Sequence, residues 1–403
     1  MQYTEYELGE LLPFEQPTAY IVKSTDYSDA YATPVLTAGK SFILGKTNET
    51  DGIFDQLPVI IFDDFTTATQ FVNFRFKVKS SAMKILHINT DLVIPKYIFY
   101  RLQIIQFDHS THKRYWIQSY SKIKVLIPPL DEQFRIVARI EEFFSELDKA
   151  VDTLKTTKEQ LVVYRQAILQ QAFIGNSNYH KRKSSIPKAE FKPVDAKELV
   201  QLSSLPQEWK YVYLSDLGNL SRGKSSHRPR NDPKLFENGV YPFFQTGDVK
   251  GAQKDLYNCE KKYNDVGLAQ SKLWPAGTLC ITIAANIAET CFLGVDGCFP
   301  DSIVGFIPND NLVLKEYIRF FIEASKLKLW AYAPATAQKN INLSTLENLI
   351  VPYCGIEEQQ YIVQKIEEID SVCNKLEQTI DIALAQADAM RQSILKQAFE
   401  GKI

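Results

Sequence analysis

Apolar residues recur at every seventh position along two long stretches of this chain, and elsewhere the pattern changes to short apolar runs broken by glycine and proline. Between Leu130 and Phe173 there is neither glycine nor proline. Here Ile140, Leu147, Leu154, Leu161 and Ile168 form one row, with Ile136, Phe143, Ala150 and Tyr164 beside it. The second stretch carries Ile366, Cys373, Ile380, Ala387 and Ile394, flanked by Ile362, Ile369, Leu376, Ala383 and Met390. Heptad spacing holds an apolar seam on one helix face, so the pattern predicts two long helices packed on each other as a coiled coil, with the two main rows as its core. Pro128 and Pro129 ahead of the first helix, and Pro352 ahead of the second, predict sharp starts. Gly175 and Gly401 stand where a helix C-terminus favours glycine. A helix of about 42 residues spans about 63 Å at 1.5 Å per residue.

The two stretches are copies. Residues 132–142 (EQFRIVARIEE) and 358–368 (EQQYIVQKIEE) share seven of eleven positions, and residues 165–175 (RQAILQQAFIG) and 391–401 (RQSILKQAFEG) share eight. The offset is 226 residues at both ends, so the unit has neither gained nor lost a residue. A period this long is a duplicated half-protein rather than a short solenoid repeat.

Residues 1–126 and 207–351 lack heptads and are rich in aromatic and β-branched residues, which predicts two mixed α/β domains. Ordered echoes link them. ATPVLTAG (32–39) resembles VYPFFQTG (240–247), and PVIIFDD (58–64) sits where GTLCITIAA (277–285) sits. KYIFYRL (96–102) parallels EYIRFFI (316–322), and SKIKVLIPP (121–129) parallels TLENLIVPY (345–353). The expected plan is a domain over 1–129, a helix over 130–175, a polar basic linker over 176–206, a second domain over 207–351 and a second helix over 352–403.

At 403 residues the chain has room for two or three domains, and 45% apolar content argues against general disorder. The six cysteines show no C-x-x-C spacing and are absent from the first half, so neither a zinc site nor a disulfide framework is expected. The opening MQYTEYELGE carries two glutamates before any apolar run, unlike a signal peptide, and the longest uncharged run, Leu273 to Ala288, is too short and broken for a membrane span. These features predict a cytoplasmic protein. The net charge of −2 hides a division: the acidic excess lies in the two helical repeats, while the intervening segments hold local cationic runs.

This plan resembles the DNA-specificity subunits of type I restriction–modification systems. The resemblance is carried by IPPLDEQFRIVARIEEFF with RQAILQQAFIG and by their second copies. Within the second domain LPQEWKYVYLSDLG, YPFFQTGDVKGA, AGTLCITIAANIAETCFL, FPDSIVGF and AQKNINLSTLENLIVP carry it further. It covers nearly the whole chain. One departure is that the first domain lacks the P-x-x-W lead-in seen at Pro206 and Trp209, and has RYWIQSYSKIKVLIPP in place of the QKNIN run. The two domains therefore belong to different subtypes. The resemblance implies two target-recognition domains, each reading half of a split asymmetric target, with two antiparallel helices as spacer. It further implies double-stranded DNA, two methylation subunits and two restriction (motor–nuclease) subunits as partners in defence against foreign DNA. S-adenosylmethionine, ATP and Mg belong to those partners, and this chain has no chemistry of its own.

A DNA reader needs side chains that position phosphates and a few that meet base edges. In the second domain the densest candidate is SRGKSSHRPRNDPK (221–234), with Arg222, Lys224, His227, Arg228, Arg230 and Lys234. Its two prolines predict a loop. Gln245 and Thr246 follow a predicted strand, and Gln338, Lys339 and Asn340 precede the last one. In the first domain the candidates are Thr37, Lys40, Thr66, Thr67, Gln70 and Arg75, with a cationic cluster at His112, Lys113 and Arg114. An ordinary turn or capping role competes at each threonine. GNLSRGKS (218–225) fits the G-x-x-x-x-G-K-S phosphate-loop pattern, but such a loop must lead into a helix, and Pro229 and Pro233 follow. No adenine-methyltransferase, H-E-x-x-H or P-D…E-x-K set is present, and no metal site is expected. Two alternatives to a DNA reader are a coiled-coil adaptor that binds proteins and a nucleotide-dependent enzyme using residues 218–225.

Overall fold

The computed structural model describes residues 3–37, 41–107, 114–174, 189–332 and 340–403. The chain forms two compact units, Met1–Thr156 with Ile380–Ile403, and Thr157–Thr379. Both divisions fall within the long helices Leu130–Phe173 and Ile356–Phe399, so each unit holds one domain, the opening part of one helix and the closing part of the other.

The first unit contains β1 (Thr4–Glu7), β2 (Phe14–Glu15), β3 (Thr33–Leu36), β4 (Ile43–Thr47), β5 (Val59–Asp63), β6 (Thr69–Val72), β7 (Lys77–Val78), β8 (Met83–His87) and β9 (Lys124–Ile127). They pair as β1–β9, as an antiparallel sheet in the order β2–β8–β5–β6, and as β4–β3–β7. The uninterrupted apolar run of β5 is explained by its central place. Side chains alternate between sheet faces, so Ile60 and Phe62 enter a core with Leu86 and Trp116, while Val59 and Ile61 enter another with Val72 and Ile85.

The second unit contains β10 (Lys210–Tyr213), β11 (Gly218–Arg222), β12 (Tyr241–Pro242), β13 (Asp255–Leu256), β14 (Lys262–Tyr263), β15 (Leu279–Thr282), β16 (Thr290–Leu293), β17 (Ile303–Pro308) and β18 (Ile350–Tyr353). The pairings repeat: β10–β18 matches β1–β9, and β11–β17–β15–β16 matches β2–β8–β5–β6, with β13 added at the edge. Even the parallel pairing of β3 with β7 has its counterpart in a bridge from Phe243 to Cys298. The sequence echoes thus fall on equivalent elements, PVIIFDD on β5 and GTLCITIAA on β15. KYIFYRL and EYIRFFI form the helices Pro95–Leu102 and Lys315–Ala324.

Each long helix has 44 residues. Pro129 ends the lead-in to the first, accepting from the Glu132 and Gln133 amides, and Gly355 does the same for Glu358 and Gln359. Pro352, expected at the second helix start, instead lies within β18. Gly401 adopts φ +71° and the Lys402 amide donates back to the Gln397 carbonyl, a glycine-dependent helix end; Gly175 lies outside the described residues. Of the main heptad rows, Ile140, Ile168, Ile366, Cys373, Ile380 and Ala387 are buried, and Leu147, Leu154, Leu161 and Ile394 are half-buried. The flanking rows differ from a full coiled-coil seam, because Ala150, Tyr164, Leu376 and Met390 are exposed. Among the described residues no helix is long and apolar enough to cross a membrane.

Within each unit the two helix segments run antiparallel, and the repeat identities are explained by what they touch. In the second unit Arg165 bonds Asp370 (3.0 Å) and Asn374 (2.8 Å); in the first, the equivalent Arg391 pairs with Asp148. Phe173 meets Tyr317 edge-on at 5.0 Å between ring centroids, and Phe399 meets Tyr97 the same way at 5.2 Å. Each helix therefore begins against one domain and ends in the core of the other unit. At its first turn, Gln133 is fully buried, accepting from the Ile94 amide (2.8 Å) and donating to the carbonyls of Leu92 (3.0 Å) and Pro128 (2.9 Å). Gln359 makes the same three bonds, from Leu314 (2.9 Å) and to Leu312 (3.0 Å) and Cys354 (2.8 Å).

Candidate nucleic-acid interface

In the second unit one end of the main sheet collects most of the candidate side chains. β11 and β15 both run antiparallel to β17, with Arg222 opposite Val304 and Thr282 opposite Ile303. The end of β11, the hairpin tip 283–289 and the turn Phe299–Ser302 therefore share an edge. Asn340 joins them by bridging to Ala284, and the Ile341 amide donates to the Ile283 carbonyl (2.9 Å).

The basic segment is a loop pinned to this edge. The Gly223 amide donates to Ile303 (2.9 Å) and the Lys224 amide to Phe299 (3.0 Å). A Cβ on Gly223 would stand 2.2 Å from the Phe299 carbonyl oxygen, so only glycine permits this approach. Gln270, 44 residues away in sequence, accepts from the amides of Ser226 (2.7 Å) and His227 (2.9 Å). The cations divide by what they do. Arg228 donates to the carbonyls of Ser225 and His227 (both 2.8 Å), and Arg230 pairs with Asp301 (2.8 Å). His227 bonds Asp232 (2.9 Å), and this bond, with the Lys234 amide, holds the Asp232 carboxyl below the usual range. Arg222 and Lys224 are exposed and make no ion pair among the described residues. Lys272, which no local motif marks, donates to Ser221 at the end of β11 (2.9 Å) with its ammonium 3.6 Å from the Trp274 ring centre.

This geometry also disposes of the phosphate-loop reading. GNLSRGKS is strand β11 followed by irregular backbone and a short 3-10 turn at Pro233–Leu235, so no helix N-terminus faces Lys224. Gln245 caps the helix Thr246–Gly251 in a reciprocal box with Asp248, which gives it a local structural use; Thr246 is the first residue of that helix. Gln338 and Lys339 lie outside the described residues.

The first unit repeats the edge with different residues. The β5–β6 tip carries Thr66 and Thr67, the latter at φ 57°, with Gln70 exposed on β6 just beyond. Asp63 accepts from the Phe65 (2.9 Å) and Thr66 (3.3 Å) amides. Asp64 is committed to structure: it accepts from the Trp116 amide (2.9 Å) and pairs with the buried Lys84 (3.3 Å). The Tyr115 amide donates to the Asp64 carbonyl (3.0 Å), which sets Arg114 beside the tip. Thr37 opens the β3–β4 turn. Arg75 follows the far end of β6, paired at the surface with Asp55 (3.7 Å), and stands away from the tip. Lys40, His112 and Lys113 lie outside the described residues. Breaking a buried ion pair strands its partner charge, so Lys84→Met is expected to cost about 3–5 kcal/mol. Urea unfolding should show most of that loss recovered when Asp64→Asn is added, which removes the stranded charge and keeps an acceptor for the Trp116 amide.

A chain of two repeated mixed α/β domains joined through paired long helices, each domain with a cationic or polar strand-end edge, has the form of a bipartite reader. Comparison with known proteins gives the family. Residues 206–386 match the type I restriction modification DNA specificity domain. The specificity subunit of the type I restriction enzyme EcoR124I/EcoR124II from Escherichia coli is 31% identical over 381 residues, covering 92% of this chain and 87% of that protein. The EcoBI specificity subunit from Escherichia coli is 23% identical over 285 residues, covering 69% and 58%. The chain belongs to the type I restriction enzyme specificity subunits. Its fold matches a chain from a study of assembly and conformational transition of the type I R-M system (TM-score 0.69, 17% identity, 100% and 98% covered). It also matches the HsdS subunit from Thermoanaerobacter tengcongensis (TM-score 0.55, 17% identity, 100% and 97% covered).

Proposed function

We propose that this chain is the sequence-reading subunit of a type I restriction–modification complex, each domain reading one half of a bipartite, asymmetric DNA target. The observation that carries this is the strand-end edge of the second unit, where exposed Arg222 and Lys224 flank a hairpin tip and Asn340 in a chain of this family. Arginine and lysine there neutralise phosphates, and tip side chains reach base edges. The chain itself is non-catalytic. Two methylation subunits, using S-adenosylmethionine, flip and methylate the target adenine, and two restriction subunits, using ATP and Mg, act on unmodified DNA in the cytoplasm. The acidic faces of the long helices suit protein docking better than DNA contact.

The test is modified-base sequencing of the host genome with and without the gene. A split, gapped adenine-methylation motif that vanishes on deletion is the expected result; an unchanged set of motifs would overturn the reading and favour a protein-binding adaptor. A finer prediction concerns salt. Losing one phosphate contact lowers the slope of log affinity against log salt by about 0.9. Arg222→Ala and Lys224→Ala are each expected to do so without altering the motif, whereas Arg230→Ala, already paired to Asp301, should change the slope less.

A further inference from the structure

The tip of the β15–β16 hairpin, residues 283–289, is held in a conformation that side chains rarely adopt. Ala285 and Ala288 both sit at φ 62°, and the Asn286 amide donates to the Ala284 carbonyl (2.8 Å), closing a tight three-residue turn around Ala285. Left-handed backbone at a non-glycine residue persists only where surroundings over-determine it. They do so here. The Thr282 hydroxyl bonds the Asn286 carbonyl and accepts from the Glu289 amide (3.0 Å), and the Trp330 indole donates to the Ile287 carbonyl (3.2 Å). Ile287 and Ala288 are buried beneath the turn.

The tip carries two polar side chains, Asn286 and Glu289. Glu289 pairs with Lys326 (2.8 Å), and Ala284 is bridged to Asn340. Asn286 is half-buried, and its side-chain amide makes no hydrogen bond among the described residues and is not among their buried unpaired groups. It stands on the same sheet end as Arg222, which locates the phosphate backbone in the proposed function. A rigid turn displaying a single amide, with a donor and an acceptor side by side, matches the acceptor–donor pair of adenine, N7 and the N6 amino group, in the major groove. We infer that Asn286 is a specificity-determining residue that reads one A·T pair in the half-site of the second domain. The inference rests on the DNA-reading function proposed above.

The test begins with modified-base sequencing of hosts carrying the wild-type chain, Asn286→Ala or Asn286→Asp. With Asn286→Ala, one A·T position of one half-site is expected to become degenerate, the other half-site and the gap staying fixed. Aspartate, which only accepts, is expected to move that position towards C·G. Absence of any gapped motif with the wild-type chain would overturn the DNA-reading function itself. A wild-type motif that both variants reproduce unchanged would overturn only the role of Asn286. Should either variant fail to methylate or fold, the wild-type complex decides: competition binding is run on duplexes with 7-deazaadenine at each half-site adenine in turn. Loss of N7 at one position is expected to weaken binding about 5- to 150-fold; equal binding at every position would overturn the inference.

Discussion

Replacing Gln359 by alanine is expected to destabilise the second unit by about 3–5 kcal/mol and to abolish protection of the Leu314 amide from hydrogen exchange. The side chain is fully buried and completes three polar groups at once: the Leu314 amide and the carbonyls of Leu312 and Cys354. A buried polar group left without a partner costs about 1–3 kcal/mol, and partial relaxation keeps the total below the simple sum of three. These bonds fasten the turn before helix Lys315–Ala324 and the end of β18 to the first turn of the long helix, so the change loosens the joint between domain and helix. Gln133→Ala is expected to do the same to the Ile94 amide in the first unit, leaving Leu314 protected. Urea unfolding gives the energy and residue-resolved exchange gives the location. Retained protection at both amides would show that the glutamines are not the fastening points.

The duplication and the helices are legible in sequence because a heptad row and an unbroken 226-residue offset are local or directly comparable signals. The identical Glu-Gln at the start of each copy is visible too, but its purpose is not, since the partners of Gln133 lie 5 and about 40 residues away. The basic loop 221–234 is equally visible; what sequence does not reveal is that Arg228 is committed to the Ser225 and His227 carbonyls and Arg230 to the distant Asp301, while Arg222 and Lys224 remain free of ion pairs among the described residues. Asp301, which takes Arg230, and Gln270, which pins the loop amides, reach it only through the fold, from 71 and 44 residues away. Asn286 escapes notice because its neighbours are alanines and isoleucines that read as ordinary strand. Its turn depends on Thr282 and Trp330, and no local pattern encodes a positive φ at alanine. The flanking heptad rows mislead for the opposite reason: the pattern is real, but a two-helix pair buries one narrow row along its middle and leaves Tyr164, Leu376 and Met390 outside.

Removing one heptad from both long helices is expected to shorten the preferred gap between half-sites by about 3 base pairs without changing either half-site. Seven residues at 1.5 Å remove about 10.5 Å of helix axis, against 3.4 Å per base pair of B-DNA. The excision must preserve the antiparallel pairing found within each unit. Residues 150–156 and 380–386 satisfy this, because Arg165 with Asp370 and Asn374 stays on one side of both cuts and Arg391 with Asp148 on the other. A heptad is close to two full helical turns, so the protein rotates by only about 20°. Three base pairs of DNA rotate by about 100°, at roughly 10.5 pairs per turn. The shortened subunit must therefore twist its target, and slower methylation is expected alongside the shorter gap. Removing a heptad from one helix alone breaks one set of arginine contacts and should abolish methylation. Modified-base sequencing reads all three outcomes, and an unchanged gap in the doubly shortened chain would rule out the helix pair as the element that measures the spacing.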